Sequence, residues 1–355
     1  MNPISTKKLF HHQSGVSLVE LMISLTIGLV LLLGITAIIV EQSGTRDELD
    51  KSSRQIENGR YAMHLLNDSI ELAGFFGDYS PASGTTYNVP ADPCSTVSMT
   101  TMGWATAPQV PVPIYGYAGA AGNPTTGTTC NLSNYKANTP ILVLRRTSTA
   151  TTTPTSASGA GAPVVLYFQV SNCNTSTVPF LLETKNTSSF PLLKSNCIAS
   201  ADLRSYIVDV YYISTCNDCT AGDNIPTLKR AGIGGVSAPS APVSMVDGIE
   251  DMHFEYGLDT NSDGYPDSYV TAPASSDWKD VMAVRVSLLA RNNECSNNYT
   301  GTKTFTLGET NPKVYAPATY NPTDTAACGA TRGYKRHVFT KLIRATNPSG
   351  RRAQQ

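Results

Sequence analysis

The fold turns on one stretch, GVSLVELMISLTIGLVLLLGITAIIV, residues 15–40. From Val16 to Val40 the only charge is Glu20. At about 1.5 Å of rise per residue, a helix of this length crosses a hydrocarbon core roughly 30 Å thick. Lys7 and Lys8 precede the run, and cations on that side predict that residues 1–15 stay cytoplasmic while the rest is exported. A bare carboxylate deep in lipid costs about 2.5–3.5 kcal/mol. Glu20 therefore reads either as a tolerated residue of a plain signal anchor or as a group whose partner comes from elsewhere. A secretory signal places its small-residue cleavage site after the apolar run. Here the small residue, Gly15, comes before it, so cutting after Gly15 would remove a basic leader and leave the helix on the product.

The cysteines agree with export. All eight lie after residue 90: Cys94, Cys130, Cys173, Cys197, Cys216, Cys219, Cys295 and Cys328. Outside the cytoplasm an even count predicts four disulfides. Sequence does not fix the connectivity; because short loops close most readily, the expected pairing is neighbour with neighbour: Cys94 with Cys130, Cys173 with Cys197, Cys216 with Cys219, and Cys295 with Cys328. The CxxC at Cys216–Cys219 admits a redox role, but it lacks a thioredoxin-like βαβ surround, so a structural clamp is the favoured reading. A zinc site would need a second such pair. The chain of 355 residues has 26 Lys+Arg against 27 Asp+Glu. That balance gives no support for nucleic acid as a partner, and no basic-aromatic patch supplies one. Charged residues make up only 15%. Ser, Thr, Asn, Gly and Pro replace them between Ser80 and Ser200, as in strand-rich, loop-rich extracytoplasmic proteins.

Beyond Val40, Leu49, Ile56, Met63 and Ile70 recur every seven residues, with Leu66 and Ala73 between, while Arg46, Asp47, Glu48, Asp50, Lys51, Arg54 and Glu57 take other faces. This is one amphipathic stripe. No proline interrupts residues 16–73, so a single long helix is expected, with a membrane half (16–40) and an amphipathic half (41–77). Strands are expected at Pro140–Thr147, Pro163–Ser171, Arg204–Ser214, Gly248–Leu258, Asp280–Arg291 and Val338–Arg344, and an exposed loop at 148–162. The expected class is α+β: a long N-terminal helix packed on an antiparallel sheet within a globular part at 78–355.

Two groups of residues carry a resemblance. Gly15-Val16-Ser17-Leu18-Val19-Glu20-Leu21 resembles the class III signal of type IV prepilins and type II secretion pseudopilins, with the glutamate fifth after the glycine. Glu57-Asn58-Gly59-Arg60-Tyr61-Ala62, with Leu66, Asp68, Ala73, Gly74 and Phe75, and the runs VMAVRVSLLAR and KRHVFTKLIR, resemble PilW-type minor pilins in particular. The resemblance implies a pilin-like fold, cleavage after Gly15 by a prepilin peptidase, and N-methylation of Val16. It also implies that Glu20 meets the free amine of a neighbouring subunit. The partners it implies are other minor pilins and the major pilin, in an inner-membrane complex that primes assembly at the pilus tip and serves activities such as twitching motility. Two departures stand out: Val16 replaces the usual Phe, and Asp78 follows Gly77 where such proteins often carry a cysteine. The rivals are a J-type minor pseudopilin of type II secretion and a membrane-anchored calcium-binding periplasmic adhesin that never assembles.

Calcium enters through GLDTNSDGYPDSYV. Asp259, Asn261, Asp263, the Tyr265 carbonyl and Asp267 match positions 1, 3, 5, 7 and 9 of an EF-hand-type loop, with Gly264 at the turn. Val270 stands where a bidentate glutamate belongs. The competing reading is a polar hairpin loop, since Asn, Asp, Gly and Pro form turns. No GxSxG, HExxH, Walker A or GxGxxG motif is present, so nothing indicates an enzyme. Arg351 and Arg352 read as a solvated tail.

Overall fold

The computed structural model describes residues 15, 17–82, 84–105, 109–130, 132–157, 165–184, 190–234 and 239–353. Most of the expected leader and Val16 lie outside this set. The chain divides into two compact units, residues 1–50 and 51–355. Helix α1, Leu18–Leu72, is continuous over 55 residues.

In the second unit, α1 buries Gln55, Gly59, Ala62, Met63, Leu66 and Ile70. The steps of three and four keep one face toward the core. This differs from the seven-residue stripe: Leu49 is 62% and Ile56 37% exposed. A strict seven-residue spacing drifts around a straight helix by about 20° per repeat, and the packing follows the helix rather than the spacing.

The first sheet contains β1 (Ile114–Tyr117), β2 (Ile141–Thr147), β3 (Leu166–Val170), β4 (Phe180–Thr184), β5 (Leu203–Ser214), β6 (Thr227–Gly234) and β7 (Ser240–Asp247). All its pairings are antiparallel. β5 is central, with β2 and β3 along one edge and β6, then β7, on the other. The second sheet contains β8 (Ile249–Leu258), β9 (Ser268–Val270), β10 (Val281–Arg291) and β11 (Arg336–Arg344). Its order is β9-β8-β10-β11, also antiparallel. The loop expected at 148–162 includes a four-residue helical turn, Pro154–Ala157; residues 158–162 lie outside the described set.

One core joins α1 to both sheets. Ala62, Met63, Leu66 and Ile70 meet Leu142, Leu144, Tyr211 and Ile213 from the first sheet, and Met252, Phe254, Val284, Val286, Leu288 and Ile343 from the second. Burying side chains such as Leu66 and Ile70 contributes about 1.5–3 kcal/mol each. A second core lies on the opposite face of the first sheet. There Val208, Val210 and Tyr212 meet Phe76, Phe168, Phe180 and Trp104. The Trp104 ring sits 4.8 Å from Phe76 and from Phe168. β5 is thus covered on both sides, which is why its sequence is nearly continuously apolar.

The outer face of the second sheet is charged and covered. Between β10 and β11 the chain makes a long excursion, residues 292–335, tied by Cys295–Cys328 and containing helix α2 (Pro317–Cys328). Proline at the start and at Pro322, with four threonine or asparagine residues, gives α2 little helical signature in sequence. Arg336, with no side-chain exposure, donates to Glu250 at 2.6 Å and to Asp324 of α2 at 2.7 and 2.8 Å. Lys313 pairs with the buried Asp251 at 2.5 Å. Burial alone would raise the Glu250 pKa, but Lys136 and Arg336 outweigh it and hold the carboxyl below the ordinary glutamate range.

Two tests follow from this packing. A Cβ on Gly59 would lie 2.1 Å from Phe339 Cε2. Gly59→Ala is expected to cost about 1–3 kcal/mol by overpacking, read as a lower thermal midpoint, with a smaller loss in a Phe339→Leu background. Because the folded-state pKa of Glu250 is depressed, its contribution is present above the unfolded pKa and is lost as pH falls through the folded one. Glu250→Gln should lower neutral-pH stability by about 3–5 kcal/mol, since it strands buried cations, and should flatten the loss of stability in acid. Denaturant titrations across pH check both effects.

Candidate assembly interface

Residues Leu18–Val40 form a helical surface that is apolar on every side, and all the large side chains along it are exposed. An 18-residue window within α1 has a mean hydropathy of 2.7 with none of it buried. The hydroxyls here are turned inward. Ser24 Oγ donates to the Glu20 carbonyl at 2.7 Å, Thr26 to Ile23 at 2.9 Å, and Thr36 to Leu32 at 2.8 Å. Each of these hydroxyls is satisfied within the helix, as an apolar medium demands. Gly28 and Gly34 have nothing within 4 Å of where a Cβ would stand, leaving two shallow notches open to a neighbouring helix.

Glu20 stands in the first turn of α1. The positive end of the helix dipole favours a carboxylate there, but this is worth less than the cost of immersing it in lipid. Among the described residues none forms an ion pair with it. Gly15 precedes the helix.

The segment Glu57–Ala62 divides by face. Asn58 Nδ2 donates to Asp247 at 2.9 and 3.2 Å, Gly59 lies under Phe339, and Ala62 is fully buried. Glu57, Arg60 and Tyr61 point outward. Gln55, one turn earlier, donates to the carbonyls of Ala290 at 2.8 Å and Lys335 at 3.0 Å. Half of this segment thus locks the helix to the sheets and half is presented to solvent. Sequence reading missed Gln55 as an anchor, because a polar residue on an amphipathic helix gives no sign that two carbonyls distant in sequence await it.

The four disulfides join sequence neighbours: Cys94–Cys130, Cys173–Cys197, Cys216–Cys219 and Cys295–Cys328.

The 259–267 loop is built differently from a calcium cage. Asp259 is buried, and its carboxylate accepts from Ser262 N–H at 2.6 Å and Gly264 N–H at 2.9 Å, with Arg352 at 3.4 Å. Asp263 accepts the Tyr265 N–H at 2.8 Å, and Asp267 accepts Thr260 N–H at 2.7 Å and its hydroxyl at 2.8 Å. Asn261 turns its amide nitrogen, a donor, toward Asp263 at 3.3 Å and Asp267 at 3.1 Å. The Tyr265 ring stacks on Arg344 at 4.8 Å. Among the described residues no group of three or more His, Cys, Asp or Glu side chains converges to hold a metal. As arranged, these residues do not fit calcium.

What the loop does hold is the C-terminal helix α3, Thr346–Arg352. Gly264 has φ 84°, and a Cβ there would lie 2.6 Å from the Ser349 carbonyl. Arg352 donates to the Asp259 carbonyl at 3.0 Å and also binds Asp280; Arg351 donates to the Gly74 carbonyl at 3.0 Å. The two arginines are therefore docked, not a solvated tail. Calorimetric titration with Ca²⁺ up to millimolar concentration should show no binding heat, and Arg352→Ala should lower the thermal midpoint. A saturable heat would mean that the carboxylates regroup around the ion.

Two family models match the chain. Type IV Pilus-assembly protein W matches residues 210–347, from the second half of β5 into α3. The prokaryotic N-terminal methylation motif matches residues 10–36, which include Gly15 and Glu20. No curated protein and no solved structure matches the chain. One match falls on the apolar helix with its single carboxylate, and the other on the strands that clamp the same helix further along. Over these two segments the chain is similar to PilW-type pilins of the type IV pilus.

Proposed function

We propose that this chain is a minor pilin of an assembly-priming complex. It inserts in the inner membrane with its disulfide-bonded part in the periplasm, is cut after Gly15 by a prepilin peptidase, and is methylated at Val16. It then joins other minor pilins, and the major pilin, through α1 at the tip of the nascent fibre. Its work is helix-to-helix binding, not catalysis. The observation that carries the reading is Glu20, a carboxylate on an exposed apolar helix with no ion pair among the described residues. A cationic chain terminus on an adjoining subunit offsets the cost of burying it, because attraction between charges grows as the surrounding dielectric falls. Glu20 thereby favours the bundle over the lone subunit. The match of residues 210–347 to a pilus-assembly family favours a pilus over a type II secretion pseudopilin.

Mass spectrometry of the mature N-terminus should find methylated Val16; an intact leader would remove the reading. Glu20→Ala should still insert in the membrane but enter sheared pili several-fold less, and in-cell cross-links to other pilins should fall in parallel. Undiminished incorporation, or normal pili after deletion of the gene, would favour a non-assembling membrane adhesin instead.

A further inference from the structure

The four disulfides are not alike. Three span sequence separations of 24, 33 and 36, whereas Cys216–Cys219 spans 3. A link across so few residues removes the least freedom from the unfolded chain. It sits in the turn between β5 and β6, just beyond the last ladder pair, Ser214 with Thr227, so opening it leaves the strand pairing intact. Cys216 is 6% exposed, and Cys219 is the more open of the two.

The surroundings are those of a reactive thiol. Lys229, only 7% exposed, places Nζ 3.6 Å from Cys219 Sγ and is steadied by the Asn217 carbonyl at 3.1 Å. Ser214 Oγ lies 3.9 Å from each sulfur. The loop's two carboxylates are occupied by backbone N–H groups: Asp223 by those of Asn217, Asp218 and Ile225 at 3.0, 2.8 and 3.1 Å, and Asp218 by those of Thr220 and Ala221 at 3.0 and 3.1 Å. Among the described residues no carboxylate forms an ion pair with Lys229. An ammonium beside sulfur stabilises the thiolate, the reactive form.

We propose that Cys216–Cys219 is a site of thiol–disulfide exchange with an external protein dithiol, with Lys229 stabilising the released Cys219 thiolate. A thiolate of the dithiol attacks the more open Cys219 Sγ, the Cys216–Cys219 bond breaks, and Cys216 leaves as a thiolate and takes up a proton. The second thiolate of the dithiol then attacks its own bridged sulfur and expels Cys219 opposite Lys229. The dithiol ends as a disulfide, and the pair ends reduced by two electrons. This inference does not depend on the role in pilus assembly.

The test is graded reduction of the folded, full-length protein with dithiothreitol, followed by alkylation and peptide mass spectrometry. Cys216 and Cys219 should be labelled while the other six cysteines remain bonded. Lys229→Gln should slow the step that releases Cys219 by roughly threefold, the effect of a one-unit rise in the leaving thiol's pKa at a Brønsted slope near 0.5, read as dithiothreitol-bridged Cys219 persisting in the alkylated peptides. Lys229→Arg, which keeps the charge, should restore most of the rate. Opening of another disulfide first, joint opening of all four, or an unchanged rate in Lys229→Gln would overturn the proposal.

Discussion

The burial of one face of α1, from Gln55 to Ile70, is the contact on which the globular unit depends. That face is shared: the first sheet supplies Leu142, Leu144 and Tyr211, and the second supplies Phe254, Val286 and Leu288. Removing the helix would expose the apolar side chains of both sheets that it covers. Close approach is possible because Gly59 admits the Phe339 ring. The polar anchors Gln55 and Asn58 donate to the Ala290, Lys335 and Asp247 carbonyls beneath the helix, and pairing of such groups matters more as water is excluded.

The outer face of the second sheet follows from that arrangement. With Met252, Phe254 and Tyr256 turned toward α1, the alternation of β8 sends Asp251 and Glu255 outward. Both are nevertheless fully buried, because the 292–335 excursion folds back over them. Buried carboxylates need cations, and Lys313, Arg285 and Arg336 supply them. Such a network adds little net stability over an apolar equivalent but heavily penalises a misplaced excursion. The Cys295–Cys328 bond holds the same segment covalently.

One residue pattern has two structural meanings here. Alternating Asp and Asn around a glycine suits a calcium loop and equally suits a self-closed turn. The deciding partners are remote: Arg352 and the Ser349 carbonyl arrive from the C-terminus and occupy the space around Asp259 and Gly264. A residue 93 positions away in sequence leaves no trace in the local pattern.

The sequence by itself determined the elements whose physics is local. A proline-free apolar run with one carboxylate is a membrane-length helix wherever it is placed, and Gly15 and Glu20 fall within the segment that matches the N-terminal methylation motif. Strands such as Ile141–Thr147 and Val281–Arg291 were legible because β-branched runs bounded by turn residues have few other uses. Only the tertiary structure decided what depends on distant chain meeting distant chain. That includes which helix face is buried, since Ile56 is outside and Gln55 inside, and the short helix Pro317–Cys328, which exists through its docking rather than its propensity. It also includes the conversion of an apparent cation loop into the seat of the C-terminal helix. Local composition sets what a segment can become, but burial and charge pairing are properties of pairs, and the second member of each pair lies elsewhere in the chain.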